Sequence, residues 1–152
     1  MFERFADPAR NVVTLAMDEA AGRGDRRIGT DHLLLGVLHD PEVAEIVGVD
    51  ARAAREAADA LDRQALAAIG LDLGGFEATR GAAGSKRPPF TSGAKSVMKQ
   101  MLANTTAEKA RRIAPKHLLL ALLERQEPDP AASLLAALAI DTRDVRHKVR
   151  EL

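Results

Sequence analysis

A chain of 152 residues that is 46% hydrophobic and 29% charged is long enough for one compact domain and too apolar to be disordered. It has no cysteine, which excludes disulfides and thiolate chemistry, and no run of 18 uncharged apolar residues or secretory leader, so we expect a cytoplasmic protein without a membrane span. The formal net charge of 0 combines −6 over residues 1–80 (9 Lys/Arg, 15 Asp/Glu) with +6 over residues 81–152 (13 Lys/Arg, 7 Asp/Glu).

The first predicted helix begins near Phe5, carries one apolar stripe of 3.6-residue period, and ends at Gly22 and Gly24. Residues 33–38 are apolar nearly all round, which predicts a helix at the centre of a bundle. A short helix is expected over residues 42–47. Asp50 then begins a longer helix over residues 51–68 as its N-cap.

Residues 70–89 are predicted to form a linker, since five of the eleven glycines fall between Gly70 and Gly84 and a Pro-Pro pair ends the segment. A second set of helices follows over residues 91–111, 116–125, 130–138 and 142–151, the last capped by Asp141. No segment alternates apolar and polar residues long enough to predict a strand.

The two halves are copies of one motif. Aligned without a gap at an offset of 85 residues, residues 32–35 and 117–120 both read His-Leu-Leu-Leu, and Phe5 aligns with Phe90. After a longer Pro-bearing loop the offset increases by six, so that Asp50 aligns with Asp141. The sequence therefore predicts an all-α fold of two tandem four-helix repeats, residues 1–69 and 90–152.

No catalytic, metal or cofactor site is predicted. His32 and His117 lack further ligands at metal-binding spacing, so we interpret each as a structural histidine that bonds to a neighbouring loop at a helix start. Residues 93–96 do not complete a phosphate-binding loop, and no serine lies in a G-x-S-x-G context. The basic residues of the second half leave nucleic-acid binding open as an alternative function.

Three segments carry a family resemblance: Met-Phe-Glu-Arg-Phe at residues 1–5, Ile-Gly-Thr-Asp-His-Leu-Leu-Leu-Gly at 28–36 and Pro-Phe-Thr at 89–91. The chain resembles the N-terminal domain of the Clp unfoldases, more the ClpC type than ClpA or ClpB. The resemblance implies one domain over residues 1–152, with eight helices in two pseudo-symmetric units. It also implies a chaperone and proteolysis role: binding substrates and adaptors, including phosphoarginine-marked proteins, beside AAA+ ATPase modules.

The resemblance implies a phosphoarginine pocket in each repeat, where an acidic residue holds the guanidinium. Asp31 supplies this acid in the first repeat, whereas Lys116 replaces it in the second. The threonine expected near each pocket is kept as Thr91 but has become Ala6 in the other copy. We therefore expect one guanidinium site per chain, at Asp31.

The same resemblance implies a groove that binds cyclic peptide antibiotics, with five matching residues: Phe2, Arg10, Val13, Phe90 and Lys95. An alternative interpretation is that Phe2 and Phe90 merely close the ends of the two bundles.

The leading hypothesis is a stand-alone, diverged protein- or peptide-binding module that modulates a Clp unfoldase or acts as its decoy. One alternative is an excised substrate-recognition domain of a ClpC-type unfoldase, and another is a nucleic-acid-binding regulator.

Overall fold

The computed structural model describes residues 6–70 and 88–152, and within these ranges the chain forms helices and no strand. This confirms the all-α, eight-helix prediction. None of these helices is long and apolar enough to cross a membrane. Most of the predicted linker lies outside the described residues, so the linker and the repeat boundaries stay predictions. The helices are α1 (Asp7–Gly22), α2 (Thr30–Val37), α3 (Pro41–Val47), α4 (Ala51–Ala68), α5 (Ser92–Ala107), α6 (Pro115–Leu123), α7 (Pro130–Ala137) and α8 (Thr142–Arg150).

The helix starts reproduce the internal repeat. α1 and α5 have 16 residues each and begin 85 residues apart, as do α2 and α6. α3 and α7 begin 89 residues apart, at Pro41 and Pro130, and α4 and α8 begin 91 apart. The predicted increase of six in the offset is therefore confirmed. It occurs in two steps, from 85 to 89 residues before α7 and from 89 to 91 before α8.

Aspartates cap the last two helices of each repeat. The predicted caps are confirmed: Asp50 accepts from the N–H of Ala53 (2.9 Å), and Asp141 accepts from the N–H of Arg143 (3.1 Å). Asp40 and Asp129 act in the same way for α3 and α7. Each carboxylate satisfies backbone donors that have no partner inside the helix.

The prediction that α5 reaches residue 111 is wrong, because the helix ends at Ala107. Lys109 adopts a left-handed conformation (φ 59°), and the N–H of Ala110 closes the turn on the carbonyl of Thr105 (3.1 Å). α1 ends in the same way at the glycine 85 residues earlier, Gly24 (φ 73°). A residue in the left-handed conformation commonly ends a helix. Where that residue is not glycine, as at Lys109, the sequence does not indicate the helix end.

The core centres on α2 and α6, as predicted. Leu33, Leu34 and Leu35 are completely buried, and Leu119 and Leu122 of α6 are buried to the same degree. α2 contacts α1, α4, α5, α6 and α7, so a helix that is apolar on all sides has neighbours on all sides. It begins at Thr30, three residues before the predicted start.

Gly36 allows α2 to lie against α1. A Cβ at this position would lie 2.6 Å from the Val12 carbonyl oxygen and 2.9 Å from the Ala16 nitrogen. Both atoms belong to backbone and cannot rotate away. The second repeat has Ala121 at the equivalent place, so its helix pair does not require this approach.

We expect Gly36→Ala to lower the free energy of unfolding by about 1–3 kcal/mol, because the added methyl group must push two packed helices apart. Urea denaturation followed by circular dichroism measures this. Gly22→Ala is the matched control, since nothing lies within 4 Å of its added Cβ. Equal stability of the two variants would contradict the close approach.

Candidate functional site

Two backbone bridges join the repeats. Ile28 donates its N–H to the Pro89 carbonyl (2.9 Å) and accepts from the Thr91 N–H (2.9 Å). The Ile113 carbonyl accepts from the Ala6 N–H (3.0 Å). This bond is equivalent to the one between Ile28 and Thr91, because Ile113 and Ala6 occupy the corresponding positions of the other repeat. Both isoleucine side chains are completely buried. The bridges therefore place the start of each repeat beside the loop that precedes the central helix of the other.

The first pocket lies at one of these bridges and has a volume of about 400 Å³. It brings together two of the predicted site residues, Asp31 at the start of α2 and Thr91 at the start of α5. The Thr91 hydroxyl accepts from the N–H of Ala94 (3.1 Å), which leaves its own proton free to donate. The residues lining the pocket are Asp25, Arg26, Arg27, Gly29, Asp31, His32, Thr91 and Pro130.

The Asp31 carboxylate folds back over Gly29. A Cβ on that glycine would lie 2.6 Å from Asp31 Oδ1, so a larger residue there would require the carboxylate to rotate away. The side chain is 26% exposed, and among the described residues no lysine or arginine lies within ion-pair distance of it; the nearby His32 Nδ1, 3.5 Å from Oδ1, accepts from the Gly29 N–H and has no proton to donate. The first turn of α2 also favours a negative charge at this position. A partly exposed carboxylate without a lysine or arginine partner can accept hydrogen bonds from a cationic ligand.

Both predicted structural histidines are confirmed. Nδ1 of His32 and of His117 accepts from the N–H of the helix N-cap residue (2.8 and 2.9 Å). Nε2 therefore carries the proton, and it donates to Asp25 in the first repeat (2.7 Å) and to Glu108 in the second (2.9 Å). Among the described residues no group of three His, Cys, Asp or Glu is placed to hold a metal ion.

The second repeat reverses two charges. Lys116 stands where the first repeat has Asp31, and Glu108 stands where it has Arg23. Lys116 Nζ lies 2.6 Å from Glu108 Oε1, and the other oxygen of Glu108 accepts from His117. The lysine is thus held by an acid that its own repeat supplies.

The hydrogen bond from Lys116, and to a smaller extent that from His117, lowers the pKa of Glu108 below its ordinary value, although burial acts in the opposite direction. A carboxyl group whose pKa is lowered on folding stabilises the protein above its unfolded-state pKa. This contribution is lost as the pH falls through the lowered value.

A second cavity of about 590 Å³ lies at the start of α6. It contains Lys116 where the first pocket contains Asp31, so the two cavities present opposite charges at equivalent positions. Its lining residues are Pro8, Asp40, Pro41, Glu42, Ala114, Pro115, Lys116 and Leu152. At the position equivalent to Asp31, a guanidinium meets the Lys116 ammonium group, although Asp40 and Glu42 also line this cavity.

The ion pairs between α1 and α4 were missed by the sequence analysis. Arg23 bonds to both Asp59 and Asp62, and Arg55 bonds to Glu19. Burial raises the pKa of Asp62 against the opposing effect of Arg23, whereas the Arg55 hydrogen bond lowers that of Glu19. The repeat alignment marks Arg23 as unusual, since Glu108 occupies the equivalent position, but it does not identify the partners in α4.

The residues predicted for the cyclic-peptide groove have different environments. Phe90 is partly buried against the core beside the bridge to Ile28. Arg10 and Lys95 are exposed on equivalent turns of α1 and α5. Val13 is 4% exposed and belongs to the core, and Phe2 lies outside the described residues.

Residues 4–127 match the family model described as the Clp repeat (R) N-terminal domain. The chain is 29% identical to the ATP-dependent Clp protease ATP-binding subunit ClpA homolog of Guillardia theta, over 100% of this chain and 17% of that protein. It is 28% identical to the chloroplastic chaperone protein ClpC1 of Oryza sativa subsp. japonica, over 98% of this chain and 15% of the relative. The chain therefore spans about a sixth of the length of these relatives.

Solved structures share the fold. The N-terminal domain of the chaperone ClpD from Arabidopsis thaliana superposes with a TM-score of 0.76 at 23% identity, over 99% of this chain and 95% of that one. The Hsp104 N-terminal domain from Candida albicans superposes with a TM-score of 0.69 at 16% identity, covering 98% and 91%.

We expect Lys116→Met to raise the pKa of Glu108 towards its ordinary value of about 4.3, because the largest lowering influence is removed. The variant should also lose less stability than the wild type when acidified from neutral pH to about pH 3. A carbon-13 NMR titration of the Glu108 carboxyl, with acid denaturation curves, measures both. Lys99→Met, which removes an exposed lysine from α5, should leave both unchanged.

Proposed function

We propose that this chain, which belongs to the Clp repeat (R) N-terminal domain family, is a non-catalytic module that binds proteins or peptides. It would deliver substrates or adaptors to a Clp unfoldase, or withhold them as a decoy. The relatives named ATP-binding subunits of a Clp protease support this context. The sequence supports the absence of catalysis, because it offers no phosphate-binding loop and no activated nucleophile.

The observation that carries the proposal is the first pocket. Its partly exposed Asp31 carboxylate can accept two parallel hydrogen bonds from a guanidinium. Arg26 and Arg27 line the same cavity and supply positive charge for an attached phosphate. Thr91 adds a hydroxyl donor to the same cavity. These groups fit phosphoarginine, which carries a cationic and an anionic group on one side chain.

The second pocket is proposed not to bind a guanidinium. Lys116 repels the cation, and Glu108 already bonds to Lys116 and His117. One phosphoarginine should therefore bind per chain.

The cyclic-peptide groove also remains a proposal. Arg10 and Lys95 support it, since they are exposed and 85 residues apart, as a two-fold arrangement requires. Val13 would act from within the core, by supporting the groove floor rather than by touching a ligand.

A second candidate is the substrate-recognition part of a longer ClpC-type unfoldase. The relatives favour it, because the chain corresponds to 15–17% of their length. A cytoplasmic location stays a prediction, and several relatives are chloroplastic.

We expect calorimetric titration with free phosphoarginine to give one site per chain, and Asp31→Asn to weaken it at least tenfold by removing the bidentate acceptor. Asp18→Asn is the matched control, since Asp18 is an exposed acid of α1 away from the pocket. If Asp31 only stabilises the start of α2, by about 0.3–1 kcal/mol, Asp31→Asn should lower the melting temperature and leave the titration unchanged. Two equivalent sites in the wild type would contradict the interpretation of Lys116.

A further inference from the structure

One tripeptide, Arg-Arg-Ile, occurs twice at the offset of 85, at residues 26–28 and 111–113. In both copies the isoleucine is completely buried and takes part in a backbone bridge between the repeats. The two arginines before it are exposed in both copies. Among the described residues none of these four arginines forms a hydrogen bond or an ion pair.

The two copies differ in the acids around them. In the first repeat Asp25 and Asp31 line the same pocket as the arginine pair. In the second repeat their positions are taken by Ala110 and Lys116. The first arginine pair therefore shares its pocket with two carboxylates, and the second lacks the two equivalent acids.

The second pair also has an additional cation beside it. Lys109 is exposed and, like Arg111 and Arg112, has no carboxylate within ion-pair distance in the described part of the chain. The nearest acid in sequence, Glu108, is engaged by Lys116 and His117. Residues 109–112, here called the basic loop, thus present three unpaired positive charges within four residues.

The backbone of the basic loop is held at both ends. The N–H of Ala110 bonds to Thr105 of α5, and the Ile113 carbonyl bonds to Ala6 across the repeat interface. The N–H of Ala114 then bonds to the ring of His117. Binding to the loop therefore costs little conformational entropy, because its backbone is already ordered, and this favours a specific contact over a transient one.

We infer that the basic loop docks an acidic peptide segment of a partner protein, at a surface distinct from the first pocket. Guanidinium groups pair with carboxylates through two parallel hydrogen bonds, and three cations match a short cluster of Asp or Glu. A nucleic acid fits less well, because its regularly spaced phosphates need a continuous basic surface and residues 1–80 carry a net charge of −6.

Fluorescence anisotropy with a labelled hexaglutamate peptide and the full chain tests the inference. We expect saturable binding that is at least tenfold weaker for Arg111→Ala with Arg112→Ala. The matched control is Arg26→Ala with Arg27→Ala, which removes the equivalent pair and should change the affinity less than twofold. All four side chains are exposed and form no bond to the residues that the structure describes, so thermal melting should show both variants folded.

Asp31→Asn separates this inference from the phosphoarginine proposal, since it should leave hexaglutamate binding intact. Equal losses for the two double variants would show general charge attraction and overturn the inference. The absence of hexaglutamate binding would overturn it as well. Tighter binding of a six-nucleotide oligothymidine than of hexaglutamate, lost in the same Arg111/Arg112 variant, would assign the loop to nucleic acid instead.

Discussion

The backbone bonds at Ile28 and Ile113 are the contacts on which the remaining arrangement depends. Each links the loop before a central helix to the segment that begins the other repeat, while its side chain fills the core. Thr30 reinforces the first bridge by donating to Asp129 (2.7 Å) and accepting from the N–H of Ala131 (3.1 Å). Because backbone groups make the bridges, the geometry tolerates substitution of the neighbouring side chains, and the two pockets have diverged without loss of the fold.

Much of the fold was predictable because the information is local and occurs twice. The apolar stripe of α1 and the shared His-Leu-Leu-Leu run define the helices and the repeat, and short polar side chains such as Asp50 and Asp141 mark helix starts. The end of α5 was not predictable from propensity, because Lys109 takes the left-handed conformation that Gly24 takes in the other copy. There, the local bond that closes the turn, from the Ala110 N–H to the Thr105 carbonyl, accompanies a conformation that lysine rarely adopts.

The candidate site was predictable only in part. The resemblance identified Asp31 and Thr91, which do meet in one pocket. It did not identify Glu108 as the partner of Lys116, because that pairing depends on how the loop between α5 and α6 folds back. The charge changes sign between Asp31 and Lys116, the equivalent positions of the two repeats. The compensating change is from Arg23 in the first repeat to Glu108 in the second.

The reversed charges also bear on how a ligand can be oriented. A scaffold with true two-fold symmetry would accept an elongated partner in two opposite directions with equal affinity. With Asp31 on one side and Lys116 on the other, turning a partner end for end exchanges an attraction for a repulsion. The duplicated backbone therefore supplies two similar platforms that differ in charge, so an elongated partner that contacted both would be favoured in one direction.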